Sequence, residues 1–428
     1  MKISFYNIGC KVNYADMSYL QELFLEKGHK VVPYGDHADI IFINTCTVTN
    51  TADSDCRKLI RKTHRQHPDA YIGVFGCYAQ LKPDEISAIE GVDLVIGTKN
   101  KFDIDDIIKN IQNNQSSVIT SDLIDINFVA SSSSENKDRT RVFLKIQDGC
   151  DYKCTYCTIP LARGKCRSMP FNDIIPEIRK IQSSGAHEII LSGINLGEYK
   201  TEDGYNFQNV VHLLDQNVSD MRFRISSIEP NLLTSEIIEC VSQSQVFCPH
   251  FHIPLQSGSD DVLKTMKRRY NISKFRDLIS EITTNISNVC IGIDVIAGFP
   301  GETDENFEET YNFLDSLPIS HLHVFTYSER SNTPAATYEN SIPMHIRKER
   351  TKKLRELSDK KLQKFYASQI DSERKVLPES YNSKTGLWTG WTENYVKVCF
   401  PAPQDLAKIF HNVRLIEVNG DKVKSELV

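Results

Sequence analysis

The chain has no apolar run approaching the roughly 18 to 20 residues that a membrane-crossing helix requires, and its 428 residues carry a net charge of −6. Neither a membrane nor DNA is therefore expected as a partner. Without a basic excess there is no bulk field to attract nucleic acid, so any RNA interface has to rest on local clusters. The opening Met1-Lys-Ile-Ser-Phe-Tyr-Asn-Ile-Gly-Cys10 reads as a strand entering a motif and not as an export signal, so a cytoplasmic, reducing location is expected. Only two tryptophans occur, but cysteine is plentiful. Twelve thiols in a reducing compartment point to metal ligation more than to disulfides.

Three of those thiols form the most informative stretch, Lys145-Ile-Gln-Asp-Gly-Cys150-Asp-Tyr-Lys-Cys154-Thr-Tyr-Cys157, a Cys-x3-Cys-x2-Cys loop just after an apolar strand. Zinc more often takes paired Cys-x2-Cys knuckles or added histidines, and this loop has neither. Three thiolates can instead ligate three irons of a four-iron cluster, leaving the last iron open to a substrate or cofactor.

Residues 1–125 alternate short apolar strands (3–8, 39–44, 71–75 and 94–96) with helical patterns (14–27, 50–66 and 103–111), which predicts a parallel α/β sheet. Cys10, Cys46 and Cys77 each follow a strand. In an open parallel sheet the loops beyond the strand ends share one crevice, so these three can converge as a second three-cysteine metal site. Residues 126–138, with the run Ala130-Ser-Ser-Ser-Ser-Glu-Asn-Lys-Asp138, read as a linker or exposed loop. Over residues 139–370 six strand-helix units follow, which predicts a partial, open (β/α)6 barrel of the TIM type, with its chemistry at the C-terminal ends of the strands. Residues 371–428 break into short alternating segments that predict a small β-barrel. Cys56, Cys166, Cys240, Cys248, Cys290 and Cys399 have no partner spacing and are assigned to packing.

At this point the motifs carry a resemblance. Gly-Cys10-Lys-Val-Asn, Asn-Thr-Cys46-Thr-Val-Thr, Gly-Cys77-Tyr-Ala-Gln and Cys150-x3-Cys154-x2-Cys157-x2-Pro-x2-Arg-Gly, together with His252-Ile-Pro-Leu-Gln-Ser-Gly-Ser, Gly298-Phe-Pro-Gly-Glu-Thr and Tyr327-Ser-x-Arg, resemble the radical S-adenosylmethionine (SAM) methylthiotransferases. The match runs along essentially the whole chain, including a C-terminal barrel of the TRAM type. Gly-Cys-Lys-Val-Asn, Ile-Gln-Asp-Gly-Cys and Leu-Ser-Gly-Ile-Asn-Leu-Gly-Glu are similar to the branch acting on threonylcarbamoyladenosine in tRNA. One departure is Asn332, where the family usually has glycine; if that loop needs a positive φ, asparagine is the least costly replacement.

The resemblance implies two four-iron clusters. One, on Cys150, Cys154 and Cys157, would bind SAM at its open iron and cleave it to a 5′-deoxyadenosyl radical. The other, on Cys10, Cys46 and Cys77, would deliver sulfur to adenine C2. An electron donor protein and the anticodon stem-loop of tRNA are the implied partners. On the six-unit count, Gly193, Asn195, Ser227, Glu229, Gln256, Ser257, Asp294 and Ile296 line the rim as candidate SAM contacts. Arg163 and Arg167 can meet a carboxylate or phosphate. For RNA, Arg57, Arg61 and Arg65 recur every fourth residue beside Lys58 and Lys62, a basic stripe on one helix face. Lys264, Lys267, Arg268 and Arg269 form a second patch and Met344 to Lys364 a third. In the small barrel, Trp388, Trp391, Tyr395 and Lys397 offer aromatic and basic groups to RNA.

Overall fold

Fully apolar runs set the first layer of the protein. In the computed structural model, which describes residues 1–113, 116–124, 126–133 and 140–428, β1 (Lys2–Asn7), β2 (Lys30–Val32), β3 (Ile40–Thr45), β4 (Tyr71–Gly76), β5 (Leu94–Ile96) and β6 (Ser117–Ile119) form one parallel sheet in the order β2-β1-β3-β4-β5-β6. β3 and β4 are buried at every position, as in a sheet covered on both faces by helices. Among the covering helices are Lys11–Glu26 and Asn50–Gln66. β2 and β6 escape the periodicity argument because each offers only three residues at an edge.

The second layer holds β7 (Ser131–Ser132), β8 (Arg141–Lys145), β9 (Gln147–Asp148), β10 (Arg167–Ser168), β11 (Glu188–Ser192), β12 (Arg222–Ile225), β13 (His250–Gln256), β14 (Cys290–Ala297) and β15 (His321–Thr326). Six of them, β8-β11-β12 and β13-β14-β15, are parallel to their neighbours, and parallel bridges Phe223–Phe247 and Ser227–His252 join the two halves into one open arc. The core between arc and helices is aliphatic, from Leu144, Ile189, Leu191 and Phe223 to Ile253, Ile293 and Leu354. Each such side chain contributes about 2 kcal/mol of burial. Helix Lys11–Glu26 of the first layer leans on β7 and β8, with Tyr14 edge-on to Phe143 at 5.8 Å, and so covers the open edge of the arc.

That contact corrects the linker reading for part of its length. Ser131, Ser132 and Ser133 are buried: β7 pairs antiparallel with β8, the Ser131 hydroxyl donates to Asp16 Oδ1 at 3.3 Å, and the Ser133 hydroxyl accepts the Phe143 amide at 2.8 Å. A serine-rich strand can be an inner edge when its hydroxyls find partners. Residues 134–138 of the linker lie outside the described residues.

The third unit is a closed barrel, β16 (Glu373–Asn382), β17 (Leu387–Thr392), β18 (Lys397–Pro401), β19 (His411–Asn419) and β20 (Lys422–Leu427), in the order β16-β17-β18-β20-β19. β20 adds a fifth strand to the four apolar segments, since in Lys-Val-Lys-Ser-Glu-Leu only Val423 and Ser425 face inward. The barrel closes the end of the arc where the strands begin. Arg222 donates to the Lys375 and Trp391 carbonyls at 2.9 and 3.0 Å, Arg224 to the Thr392 and Glu393 carbonyls at 3.2 Å, and both pair with buried Glu188. Among the described residues no helix is long and apolar enough to cross a membrane.

Candidate active site

The Cys150–Cys157 loop leaves β9 through Gly149, whose φ is 71°. A Cβ there would stand 2.0 Å from the Lys165 carbonyl oxygen, so only glycine lets the returning chain pass. The loop is then pinned from several sides. Gln147 accepts the Ile194 and Asn195 amides at 2.8 and 2.9 Å and donates to the Gly149 carbonyl at 2.7 Å; Thr155 donates to the Thr265 carbonyl at 3.0 Å. Arg268 donates to Cys154 Sγ at 3.1 Å and pairs with Glu229. Burial pushes the Cys157 thiol up to about 12 and raises Cys150 and Cys154, with the Arg268 guanidinium opposing the rise at Cys154.

The second triplet is assembled by the sheet. Cys10, Cys46 and Cys77 follow β1, β3 and β4, neighbours in the order of strands, so their loops share one end of the sheet. Gly76, with φ 102°, turns the chain into Cys77 where a Cβ would strike Asn44 Oδ1 and the Thr45 carbonyl at 2.5 Å. Cys10 and Cys77 donate to the same atom, Asn13 Oδ1, at 3.6 and 3.8 Å, and Asn13 is itself tied to Asn44 and Thr45 at the end of β3. Burial, and then the Cys77 charge, push the Cys46 thiol up to about 12. Buried thiols of this kind release their protons to a cation placed among them, which is what a metal centre supplies. Among the described residues the three ligand-type atoms that all lie within 4.8 Å of one another belong to His252, Asp294 and His323; neither cysteine triplet closes to that spacing. Three thiolates on one zinc ion lie within about 4.6 Å of each other. Neither triplet, as placed, is tight enough for its three thiolates to share one zinc ion.

The two loops are locked together by buried arginines. Arg163, six residues after Cys157, reaches Asn13 Oδ1, Asp16 Oδ2 at 3.2 Å and Asp148 Oδ1 at 2.9 Å. Lys101 and Lys145 also meet Asp16, at 2.5 and 2.6 Å. Burial alone would raise Asp16, but Lys101, Lys145 and Arg163 outweigh it and hold the carboxyl well below its usual range. From the far side, Arg330 of the Tyr327-Ser-x-Arg motif donates to Asn50 Oδ1 at 2.6 Å, Thr47 Oγ1 at 2.5 Å and Asp53 Oδ2 at 2.7 Å, gripping the chain just after Cys46. Arg167 is spent on Asp148 at 2.8 Å. Asn332, in the loop beyond Arg330, has φ 71°, the positive value that glycine or asparagine tolerates.

Between the loops lies a cavity of about 190 Å³ lined by Cys157, Gln256, Asp294, Ile296 and Phe325 from the arc and by Val48 and Thr49 from the Cys46 loop. Of the candidate SAM contacts, Gln256 (φ 72°, at a bulge in β13), Asp294 and Ile296 are on this wall. Asp294 accepts from His252 at 2.6 Å and from His323 at 3.2 Å. Asn195 is buried and accepts the Glu229 amide at 3.4 Å, while Glu229 meets Arg268 beside Cys154; these belong to the first loop. Ser227 bridges to His252. Gly193 works by closeness, because a Cβ would meet Gln147 Oε1 at 2.8 Å. Ser257 has a wholly buried hydroxyl, bonded to Thr310 at 3.3 Å and accepting the Ser259 amide at 3.2 Å, which shapes the turn after β13.

Lys11, next to Cys10, is the first residue of helix Lys11–Glu26, and the charges that act on its ammonium are those of Arg141, Arg224, Cys10 and Asp294. Burial, then the two arginines, lower it to about 8.

The basic stretches divide. Lys58, Arg61, Lys62 and Arg65 are exposed, but Arg57 turns inward to Tyr78 at 2.6 Å and Glu85 at 2.8 Å, shortening the stripe. Arg268 of the second patch is the Cys154 partner described above, a role hidden in what reads as a charge run, and Arg269 covers the Tyr152 ring at 3.8 Å. Arg347, Arg350 and Lys361 of the long helix Met344–Ala367 face inward; Arg350 meets Glu302 at 2.6 Å. In the small barrel Trp388 is core, its indole donating to the Pro403 carbonyl at 2.8 Å. Trp391 stacks on Tyr395 at 4.3 Å beneath Arg141 and Arg224, and Lys397 pairs with Asp421 at 2.5 Å. These aromatics seal the arc.

Comparison with known proteins agrees with this arrangement. Residues 2–97 match the family described as Uncharacterized protein family UPF0004, and residues 144–314 match the Radical SAM superfamily. Among solved structures, the radical SAM methyltransferase TsrM from Kitasatospora setae, with cobalamin and an iron-sulfur cluster bound, aligns with a TM-score of 0.58 over 78% of this chain and 74% of that one; at 10% identity the likeness concerns the fold. The chain is 40% identical over 427 residues to the threonylcarbamoyladenosine tRNA methylthiotransferase MtaB of Bacillus subtilis, covering 97% of this chain and 94% of the relative. It is 34% identical to the protein of the same name from Aquifex aeolicus, covering 96% and 99%. With both cysteine loops in place and such likeness along nearly the full length, the chain belongs to the MtaB family of threonylcarbamoyladenosine tRNA methylthiotransferases.

Proposed function

We propose that this protein converts N6-threonylcarbamoyladenosine at position 37 of tRNA, beside the anticodon, to its 2-methylthio derivative. The observation that carries the reading is the cavity with Cys157 on one wall and the residues after Cys46 on the other. A base held there lies between a group that cleaves SAM and a group that donates sulfur. Cys150, Cys154 and Cys157 would hold the first four-iron cluster, and Cys10, Cys46 and Cys77 a second. Bound in these loops, the two clusters would supply the electron that cleaves SAM and the sulfur that is transferred.

The chain's own residues do the rest. Arg268 offsets charge at Cys154 and orients Glu229, and Gln147 fixes the loop after β11. Gly193, Asn195, Ser227, Glu229, Gln256, Asp294 and Ile296 make up the SAM wall in this reading. Phe325, 40% exposed on the cavity wall, is a flat apolar face for a base. Lys58, Arg61, Lys62 and Arg65 serve the phosphates of the anticodon stem-loop, so binding falls steeply with salt. An electron donor protein completes the set of partners.

Reconstituted protein incubated with SAM, a reductant and tRNA bearing threonylcarbamoyladenosine is expected to yield the 2-methylthio nucleoside together with 5′-deoxyadenosine, read by mass spectrometry. If only tRNA bearing isopentenyladenosine is converted, the substrate assignment is wrong. The tRNA of cells lacking the gene is expected to lack the 2-methylthio form while keeping its precursor.

A further inference from the structure

The barrel interior is crowded with charge, and nearly all of it is spoken for. Arg141 donates to Glu379 at 2.6 Å, Arg224 to Glu188 at 3.2 Å, and Asp294 holds His252 and His323. Lys11 differs. Its side chain is partly buried at the start of the helix that packs on β7 and β8 at the edge of the arc, and its charge is felt by Arg141 on β8, Arg224 on β12 and Asp294 on β14. Among the described residues it meets no carboxylate within 4.0 Å and no hydrogen-bond acceptor. A partly buried ammonium with no ion-pair partner of its own is suited to receive an anion.

We infer that Lys11 binds the carboxylate of the substrate's threonyl group and so selects threonylcarbamoyladenosine over adenosines with uncharged N6 substituents. The inference rests on the function proposed above. It also follows the chemistry of the base. Adenine C2 has to approach the sulfur held at the Cys10, Cys46 and Cys77 loops, and N6 hangs from C6, which only N1 separates from C2. The threonyl carboxylate therefore ends within one side chain's length of Cys10, and Lys11 is the next residue. A four-carbon stem carrying a compact charge suits a carboxylate whose position shifts slightly between substrate and product.

The test uses full-length, cluster-loaded protein and two anticodon stem-loop RNAs, one bearing threonylcarbamoyladenosine and one bearing its threoninamide analogue, which differ only in that charge. Wild type is expected to favour the acid over the amide by about tenfold to a hundredfold in kcat/KM. Lys11→Gln is expected to bring the two RNAs within about twofold of each other by slowing the acid alone, while Lys11→Arg keeps most of the preference. Iron content of each variant shows that the neighbouring cysteine still holds its metal, and RNA affinity by fluorescence reports the same preference if Lys11→Gln loses iron. Undiminished discrimination in Lys11→Gln overturns the inference, as does a wild type that treats acid and amide alike. A wild type that methylthiolates neither RNA refutes the functional reading itself, a result distinct from equal turnover of both.

Discussion

The two cysteine triplets present similar thiols in opposite ways. Cys150, Cys154 and Cys157 lie within one loop of eight residues, and their spacing is a property of the chain. Cys10, Cys46 and Cys77 are separated by dozens of residues and meet because β1, β3 and β4 are neighbours in one parallel sheet. The local triplet needs a glycine turn, an arginine beside it and the short-range ties of Gln147 and Thr155. The assembled triplet needs the whole sheet, plus Asn13 to set two of its thiols and Arg163 to hold Asn13. A site built this way inherits the cooperativity of its fold.

The largest effect expected from this contrast comes from replacing Cys10, Cys46 and Cys77 together with alanine. Iron content is expected to fall by about half, as when one of two four-iron clusters is removed. Conversion of tRNA is lost, and 5′-deoxyadenosine formation from SAM persists. An unchanged iron count would remove the second centre. Next is Arg163→Met, which touches both triplets because it removes the guanidinium shared by Asn13, Asp16 and Asp148 and leaves Asp16 to Lys101 and Lys145 and Asp148 to Arg167. A loss of about 1.5 to 3 kcal/mol in urea unfolding is expected, as for hydrogen bonds to charged groups.

Arg268→Met and Asn13→Ala then separate the two sites. The first is expected to cost about 1 to 3 kcal/mol and to disturb only the spectrum of the local cluster; the second costs a similar amount and disturbs only the assembled one. If either variant altered both spectra equally, the two sites would not be independent. The Asp16 network adds a pH signature. Because the folded protein holds Asp16 below its unfolded value, its contribution is complete above about pH 4 and fades as the pH falls further. The stability gap between wild type and Asp16→Asn, from urea midpoints, is expected to narrow below about pH 4. Smallest is Asn332→Gly, expected to change stability by less than about 0.5 kcal/mol, whereas Asn332→Val costs about 1 to 2 kcal/mol at φ 71°.

What could be read ahead of the structure follows the range of each signal. Strand-helix alternation and the cysteines at strand ends are local patterns, and they carried the parallel sheet, the six-unit arc and both triplets. The glycine-like demand on Asn332 was legible for the same reason, since φ belongs to one residue. Roles that depend on a distant partner stayed hidden. Arg268 reads as the middle of three consecutive basic residues, Lys267 to Arg269, just past a helix end, until its partners, Cys154 and Glu229, are seen 114 and 39 residues away. Ser131–Ser133 look like solvent-loving linker because nothing nearby in sequence reveals that Asp16 and β8 will satisfy their hydroxyls. Trp391 and Tyr395 were read as an RNA platform from residue type alone; the face they cover is another part of the same chain.

That last pair changes what the small C-terminal barrel is for. Its carbonyls at Lys375, Trp391, Thr392 and Glu393 accept hydrogen bonds from Arg222 and Arg224, and its aromatic stack lies under Arg141 and Arg224. The unit works as the stopper of a funnel. A chain ending before Glu373 would leave two arginines without their acceptors and let water rise through the base of the arc to the histidines and Asp294. Such a truncation would fail first by losing the dry interior that radical chemistry requires, before any loss of grip on RNA.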